Sequence, residues 1–492
     1  MRESGILMHI TSLPGPYGIG TMGKNAYAFV DFLEKAGQSC WQILPLTPTG
    51  YGDSPYQSFS ACAGNHYLLD LDLLVQEGLL KKEETESVCW GADPQRVDFG
   101  AMYAHRLSVL KLAFRRFRPG AAYQAFVGEN ESWLSEYGLF MALKEACGGS
   151  SWLDWPEKWR LHDSQALAQA RRDLEDAIKL QYFLQFKFHQ QWTALRQYAN
   201  GKGIRIIGDV PIYVPLDSAD VWANPTLFQL DENRRPKKAA GCPPDSFTAD
   251  GQLWGNPLYD WQEMAATGYA WWIRRMKAAA KMYDVVRIDH FRGFESYWAV
   301  PAQDKTARGG AWVKGPGMAF IRCLQTALPD LDFIAEDLGF VTPEVRKLQQ
   351  DSGYPGMKVM EFAFDSREES DYLPHLYPVD SICYTGTHDN VTLKQWFDEA
   401  SPQDIACAKA YLGLNAEEGY VRGMIRGAMG SVSRLCVVQM QDYLELGRQA
   451  RMNFPGTLSS DNWTWRAAEG FDSDALAKKI YGITRLYGRV KK

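Results

Sequence analysis

Eight short apolar segments, separated by longer amphipathic stretches, constrain the fold of this chain more than any other feature. They occupy residues 5–10, 40–46, 203–210, 285–289, 332–336, 357–362, 382–385 and 434–440. Short apolar runs bounded by turn residues are typical of strands that are buried on both faces. They alternate with segments of helical periodicity, such as 26–35 and 180–198. This order predicts an α/β protein whose eight parallel strands close into a (β/α)8 TIM barrel.

Two connections between these strands are too long to be simple loops. Residues 48–175 carry helical patterns of their own, at 104–117 and 133–146, which predicts an inserted helical subdomain. The second connection is rich in Pro and Gly and predicts a structured lid. The expected organisation is a barrel start at 1–47, the helical insert at 48–175, barrel at 176–212, the lid at 213–262, and the barrel remainder at 263–492 with a helical insertion near 400–430.

Three acidic residues each end one of the apolar runs: Asp289, Glu336 and Asp389. Carboxylates at the C-terminal ends of several strands are how a barrel of this type assembles an active site. Burying carboxylates together is costly unless chemistry requires them, and glycosidic bond cleavage is the chemistry that uses paired carboxylates most directly. A helix N-cap or a structural ion pair would equally explain any one of them, but not all three.

The neighbours of two of these acids suggest how their roles differ. Arg287 precedes Asp289 by two residues, so both side chains face the same side of a strand. We expect its guanidinium to lower the pKa of Asp289 and keep that carboxylate ionised as a nucleophile. Apolar residues 333–335 lead up to Glu336 and should raise its pKa, as a general acid requires.

Composition excludes several other classes of function. The chain has 46% hydrophobic residues and a net charge of −6, which does not fit a basic nucleic-acid-binding surface. It contains no apolar stretch of membrane-spanning length, and residues 1–6 lack a signal-peptide core. Nine scattered cysteines without a CxxC pair, and the lack of an HExxH motif, predict a cytoplasmic protein with no metal or other cofactor.

One motif suggests a different function. Residues 18–23 match the G-x-G-x-x-G pattern of dinucleotide-binding loops, which require a tight turn from strand to helix. Here Pro14, Gly15 and Pro16 separate the strand from the glycines, so we do not expect a dinucleotide site.

Several segments together resemble the signature segments of the 4-α-glucanotransferases called amylomaltases or disproportionating enzymes, which are relatives of the α-amylases. The segments are 51–58, 206–213, 241–245, 254–259, 287–290, 334–339, 385–390 and 451–453, and the resemblance runs from residue 6 to residue 466. It implies a retaining enzyme that moves α-1,4-glucan segments from a donor to the 4-hydroxyl of an acceptor. Malto-oligosaccharides and longer glucans would be donors, and glucose or malto-oligosaccharides would be acceptors.

The resemblance also implies residue roles. Asp289 would be the nucleophile, Glu336 the general acid and base, and Asp389 the stabiliser of the distorted sugar. The residues implied to bind substrate include a stacking ring (Tyr56), hydroxyl ligands (Ser54, Asp209, Asn453), contacts to the sugar and nucleophile (Arg287, His388), a lid residue facing the donor (Trp254, within 241–256) and an acceptor platform (Phe362). Departures from the family pattern at Val391, Phe454 and residues 459–461 bear on the preferred glucan length, not on the reaction.

Two other functions remain to be distinguished from transfer. An α-amylase-like hydrolase would use the same three carboxylates, because water can resolve a covalent intermediate as well as a sugar can. Water exclusion and acceptor binding decide between them, and a Pro-rich lid with an aromatic acceptor site favours transfer. A non-catalytic glucan-binding protein would share the aromatic residues but has no need of three carboxylates.

Overall fold

The computed structural model describes residues 2–244, 248–339, 341–367 and 370–491. Its strands are β1 (Glu3–Leu7), β2 (Cys40–Gln42), β3 (Arg205–Val210), β4 (Lys238–Cys242), β5 (Gln252–Pro257), β6 (Val285–Ile288), β7 (Ser296–Pro301), β8 (Ala311–Lys314), β9 (Asp332–Ala335), β10 (Gly356–Val359), β11 (Ser381–Tyr384) and β12 (Leu435–Gln439). Eight of these strands close into a parallel barrel in the order β1-β12-β11-β10-β9-β6-β3-β2.

The barrel confirms the predicted fold class, and each of the eight predicted segments overlaps one of its strands. Their side chains are almost all buried, as expected for parallel strands covered on both faces. The second strand is shorter than predicted and ends at Gln42, not at residue 46. Pro45 follows closely, and a proline has no N–H to continue the ladder of strand hydrogen bonds.

Helices cover the barrel and build its insertions. They are Lys24–Lys35, Leu71–Gln76, Lys82–Glu86, Phe99–Ala101, Leu107–Arg116, Ala121–Ala146, Glu157–Arg160, Ser164–Asp173, Glu175–Gly201, Ala219–Ala223, Trp261–Ala266, Ala270–Met282, Gly317–Ala327, Pro343–Ser352, Leu393–Glu399, Pro402–Leu412, Tyr420–Gly430, Met440–Tyr443 and Asp474–Leu486, with a π-helical stretch at Met102–Arg106. None of the helices in the described ranges is both long and apolar enough to cross a membrane.

The segment 48–175 is helical, as its periodicity predicts, although its main helix begins at Ala121, not near residue 133. That helix packs against the long helix Glu175–Gly201, which leads into β3. Gly138 permits the contact, because a Cβ there would lie 2.6 Å from the ring of Tyr182. The insert is thereby attached directly to a helix of the barrel.

The lid is a four-stranded antiparallel sheet in the order β5-β4-β7-β8. Only β4 and β5 come from residues 213–262. The other two strands, β7 and β8, lie within 296–314, a stretch that the sequence analysis assigned to the barrel remainder. The boundary at residue 262 therefore needs correction: after β6 the chain leaves the barrel, adds two strands to the lid sheet, and returns through the helix Gly317–Ala327.

Candidate active site

The carboxylates lie where barrel strands end. β6 stops at Ile288 and β9 stops at Ala335, so Asp289 and Glu336 are the first residues beyond two neighbouring strands. The backbone amide of Asp289 donates to the carbonyl of Val210 at 3.0 Å, which fixes the backbone at this position. The chain turns immediately afterwards, because His290 adopts the left-handed conformation with φ 51°. Such a backbone in a residue other than glycine is uncommon and often marks a functional site.

The guanidinium of Arg287 connects Asp289, the candidate nucleophile, to Asp209 on β3. Register between β3 and β6 pairs Asp209 with Arg287. Arg287 Nη1 donates to the two carboxylate oxygens of Asp209 at 2.8 and 2.7 Å, and to Asp289 Oδ1 at 3.1 Å. The Tyr56 hydroxyl donates to Asp209 Oδ2 at 2.8 Å. These bonds connect β3 and β6 of the barrel to Tyr56 in the loop after β2.

Asp209 has a structural role in this arrangement. Its side chain is 1% exposed, and its oxygens are bonded to Arg287 and Tyr56. It therefore orients these two side chains, and its binding of a sugar hydroxyl stays a prediction.

Arg287 donates hydrogen bonds to two acids, and not only to Asp289, the acid with which the sequence pairs it. Because Asp209 takes the two shorter bonds, Asp289 receives only the longer one. Burial raises the pKa of Asp289 to about 8; Arg287 lowers it, while Asp209, Glu336 and Asp389 raise it. Arg287 lowers this pKa, as expected, but burial outweighs its effect, so the net shift of the Asp289 pKa is upward.

Glu336 is fixed by backbone amides. His290 N–H donates to its Oε2 and Leu338 N–H to its Oε1, both at 2.7 Å. Burial raises the pKa of Glu336, whereas Arg287 and the two amides lower it. The amide of the residue after Asp289 thus holds the carboxylate of Glu336, which couples the positions of the two acids.

Asp389 lies in the loop beyond β11 and is the most open of the three acids, with 47% of its side chain exposed. Asn453 Nδ2 donates to its Oδ1 at 2.6 Å. Arg451 Nη2 donates to its backbone carbonyl at 2.8 Å, and His388 Nε2 lies 3.4 Å from its Oδ1. One edge of this carboxylate is therefore held by protein, and the rest opens to the cleft.

Aromatic rings line the cleft beside these acids. Tyr56 stacks on His388 with centroids 5.0 Å apart and planes 15° apart, and Trp463 packs against both rings. Burial lowers the pKa of His388, so this imidazole is neutral at pH 7. Ser54 supports the same loop, because its hydroxyl accepts from the amide of Tyr56 at 3.2 Å.

The predicted lid and acceptor residues lie at the two flanks. Trp254 on β5 is half-buried and meets His290 edge-to-face at 4.9 Å, which places it beside Asp289. Phe362, just after β10, is half-buried and contacts Tyr372 edge-to-face at 5.4 Å. The lid segment 241–256 includes residues 245–247, which lie outside the described residues.

Sequence reasoning gave no role to three residues that complete the cleft: Arg451, Trp463 and His290. Arg451 acts through a backbone carbonyl and His290 through its own amide, and neither kind of contact leaves a signal in residue type. Trp463 follows Asn462 in a stretch singled out only as a departure from the family pattern, and its φ of 65° could not have been anticipated. No group of three or more potential metal ligands occurs in the described part of the chain.

The arrangement can cleave and remake a glycosidic bond. It provides two adjacent acids of distinct surroundings, a third acid facing the same cleft, and aromatic surfaces of the kind that sugars stack on. Such a set is the minimum for a double displacement at an anomeric carbon.

Comparison with known proteins agrees with this chemistry. The profile of a glycoside hydrolase family described as 4-α-glucanotransferase matches residues 8–471. The chain is 46% identical to a 4-α-glucanotransferase of Clostridium butyricum, over 98% of this chain and 100% of the relative. It is 47% identical to a 4-α-glucanotransferase of Thermus thermophilus, over 95% of each chain. An amylomaltase from Streptococcus agalactiae, solved in complex with acarbose, superposes with a TM-score of 0.97 at 42% identity, covering 100% of both chains.

Proposed function

Because this chain belongs to the 4-α-glucanotransferase family, whose members include the amylomaltases, we propose a role in that reaction for each side chain of the cleft. The enzyme moves an α-1,4-glucan segment from a donor to the 4-hydroxyl of an acceptor by a retaining double displacement. The observation that carries the assignment is the shared guanidinium of Arg287, which orients one carboxylate, Asp289, beside an acid held by backbone amides.

In the first step a carboxylate oxygen of Asp289 attacks the anomeric carbon of the donor. The bond to the leaving 4-oxygen breaks, and that oxygen takes its proton from Glu336. The product is a β-glycosyl ester on Asp289, an anionic Glu336, and a shortened glucan that departs. Burial favours the protonated form of both acids, so burial alone does not assign the proton to Glu336. Arg287 supports the role of Asp289, because it stabilises that carboxylate as an anion.

The other acids of the cleft are less suited to the attack. Asp209 is 1% exposed and both of its oxygens are engaged. Asp389 is exposed but held by Asn453 from one side, away from the strand ends. We assign it to the sugar itself: its free oxygen would accept from ring hydroxyls and stabilise the distorted, oxocarbenium-like transition state.

In the second step the 4-hydroxyl of an acceptor attacks the ester, and Glu336 takes the proton that this hydroxyl loses. The anomeric carbon is inverted twice, so the α configuration returns. Water could replace the acceptor in the same geometry, and only its exclusion favours transfer. We assign the exclusion of water to Trp254, which belongs to β5 of the lid sheet and contacts His290, the residue after Asp289.

Substrate contacts follow from the same placement. Tyr56 offers a ring face for the sugar whose anomeric carbon reacts, and His388 beneath it adds a neutral hydrogen-bonding nitrogen. Ser54 and Asn453 would bind hydroxyls, and Phe362 would support the acceptor. Donors would be α-1,4-glucans and malto-oligosaccharides; acceptors would be glucose or malto-oligosaccharides.

We also propose a cytoplasmic location. The support is chemical: Cys383 and Cys436 lie side by side on β11 and β12 as buried thiols, a state that persists in reducing compartments. Malto-oligosaccharides and stored glucans would meet the enzyme there.

The test of the nucleophile is covalent trapping. Protein incubated with maltotriose and quenched in acid should carry a glycosyl adduct on the peptide that contains Asp289. Asp289→Ala should show no adduct and no turnover. A matched control is Asp284→Ala, because Asp284 precedes the same strand at its other end and pairs there with Arg196 at 2.7 Å.

The control should be less stable yet turn over while folded, since residues at the N-terminal face of such a barrel serve stability. Measuring free glucose and longer oligomers together separates transfer from hydrolysis. Transfer yields both, whereas a hydrolase yields no product longer than maltotriose. Full turnover by Asp289→Ala, or an adduct elsewhere, would overturn the assignment.

A further inference from the structure

One buried carboxylate holds both ends of the loop that carries His388 and Asp389. It belongs to Asp442, in the short helix that follows β12, and its side chain is fully buried. Thr385, the first residue after β11, donates its hydroxyl to Asp442 Oδ2 at 2.7 Å. Leu393, the first residue of the next helix, donates its amide to Asp442 Oδ1 at 2.7 Å. The two oxygens thus receive the start and the end of a single loop.

Hydrogen bonds also join residues within the loop to one another. Asn390 Oδ1 accepts from the amide and the hydroxyl of Thr387, at 2.9 and 2.8 Å. The Thr387 hydroxyl in turn accepts from the amide of Asp389 at 3.3 Å. Inside the loop, therefore, the bonds fix its shape, but they do not attach it to the barrel. From outside the loop, Arg451 and Asn453 bond to Asp389, and Gln439 bonds to Val391. Asp442 holds the two ends.

Gly386 lies close to the side chains of Glu361 and Gln439. A Cβ there would lie 2.5 Å from Glu361 Oε1 and 2.6 Å from Gln439 Nε2, so a larger residue would displace these two side chains. Gln439 also donates to the carbonyl of Val391 at 3.3 Å. The loop consequently has little room to shift as long as Asp442 holds its ends.

A carboxylate is a costly way to satisfy one hydroxyl and one amide. The helix Leu393–Glu399 already has a side-chain cap in Thr392, which accepts from the amide of Gln395. Burial raises the pKa of Asp442 to about 7, and the titratable neighbours that interact with it are the buried Glu361 and the half-buried Tyr443. Burying an acid costs stability, so the geometry that Asp442 imposes explains it better than the two bonds alone.

We propose that Asp442 is a positioning residue for the transfer reaction, and that its carboxylate clamps the loop so that Asp389 and His388 face the reacting sugar. It does not touch substrate. The inference rests on the role proposed above for Asp389. A carboxylate serves as the clamp because its ionised form accepts hydrogen bonds on both oxygens.

The test compares two substitutions at the same position. Asp442→Ala removes both bonds, and a displacement of the loop by about 1 Å should lower kcat on the order of 100-fold. The KM for maltotriose should change far less, because Asp389 acts in the transition state. Asp442→Asn should keep kcat within about threefold of the wild type, since its Oδ1 accepts from Leu393 and its Nδ2 can donate to the Thr385 oxygen.

A matched control is available elsewhere in the chain. Asp70 accepts a threonine hydroxyl from Thr21 at 2.7 Å and the amide of Leu73 at 3.0 Å, the same pair of bonds in a helix cap unrelated to the cleft. Asp70→Ala should lower the thermal midpoint by a similar amount and leave kcat of the folded enzyme unchanged. If Asp442→Ala does not fold, Thr385→Val removes one bond at constant volume and should lower kcat with KM retained.

Two results would overturn the clamp: a kcat in Asp442→Ala equal to that of the control, or a kcat that Asp442→Asn fails to restore although it restores the midpoint. Asp389→Asn is measured beside them. If it is inactive while Asp442→Ala is fully active, the clamp is wrong and the proposed site stands. If Asp389→Asn keeps full activity, the role of Asp389 is wrong and the clamp has no catalytic function.

Discussion

Replacing Asp289 with asparagine should stabilise the substrate-free enzyme, by an amount that grows between about pH 6 and pH 8. Burial raises the pKa of Asp289 from 3.8 to about 8. The unfolded chain therefore releases this proton near pH 4, whereas the folded enzyme keeps it until near pH 8. The stability contributed by this group is complete at low pH and is lost as the pH rises through that window. Asparagine does not ionise, so the variant escapes the loss.

The size of the effect follows from the shift. One pKa unit corresponds to about 1.4 kcal/mol, so two pH units inside the window cost the wild type about 2 kcal/mol, after allowance for partial ionisation near pH 8. A chain of 492 residues has an unfolding entropy of about 1 kcal/mol/K, at about 2.1 cal/mol/K per residue. The gap in thermal midpoint between the two proteins should thus widen by about 2 °C.

The assay is a set of thermal melts of both proteins in matched buffers at pH 6, 7 and 8, without glucan. Asp365→Asn is the control, because the side chain of Arg367 lowers the pKa of Asp365 to about 2. The contribution of Asp365 is present above pH 4 and is lost only as the pH falls toward 2, so its effect should be constant across these buffers. A gap for Asp289→Asn that stays constant or narrows with pH would show that the fold tolerates a charged Asp289 without loss of stability.

Three further predictions concern the chemistry of the cleft. Glu336→Gln should slow natural donors strongly, yet a donor with an activated leaving group should still glycosylate Asp289, because it needs no protonation; equal slowing of both donors would exclude Glu336 as the acid. Trp254→Ala should raise the ratio of hydrolysis to transfer with little change in thermal midpoint, and Trp254→Phe should restore the ratio; a lower midpoint with an unchanged ratio would make this tryptophan purely structural. Tyr56→Phe keeps the stacking ring but removes the bond to Asp209, so kcat should fall more than KM rises, as measured with maltotriose; a rise in KM alone would assign the hydroxyl to substrate binding.

The barrel was predictable because its signal is local. Each strand is buried on both faces and is therefore a short apolar run, and each ends at a polar residue within a few positions of the observed end. The acids at these ends were visible for the same reason. The strand limits themselves were less accurate, since they depend on pairing with a neighbour.

The parts that the sequence did not reveal depend on contacts between distant residues. Asp209 and Arg287 are 78 residues apart, and only the register of β3 against β6 brings them together. Without that register, the sequence could not reveal that Arg287 is shared or that Asp209 is fully engaged. The lid boundary was wrong for a similar reason, because β7 pairs with β4 from another segment of the chain, and β8 pairs with β7.

The shared lid sheet has a consequence for exchanging parts between related enzymes. The pairs Ala239 with Val300 and Gly241 with Trp298 join β4 to β7 across the stretch that contains Asp289. A cassette of residues 213–262 alone, moved into a relative, would carry half of a sheet and meet foreign partners along β7. A cassette that keeps its own pairing has to run from β4 to β8, and so it brings Asp289, the proposed nucleophile, with it. In this scaffold the lid sheet and the proposed nucleophile are therefore exchanged as one unit.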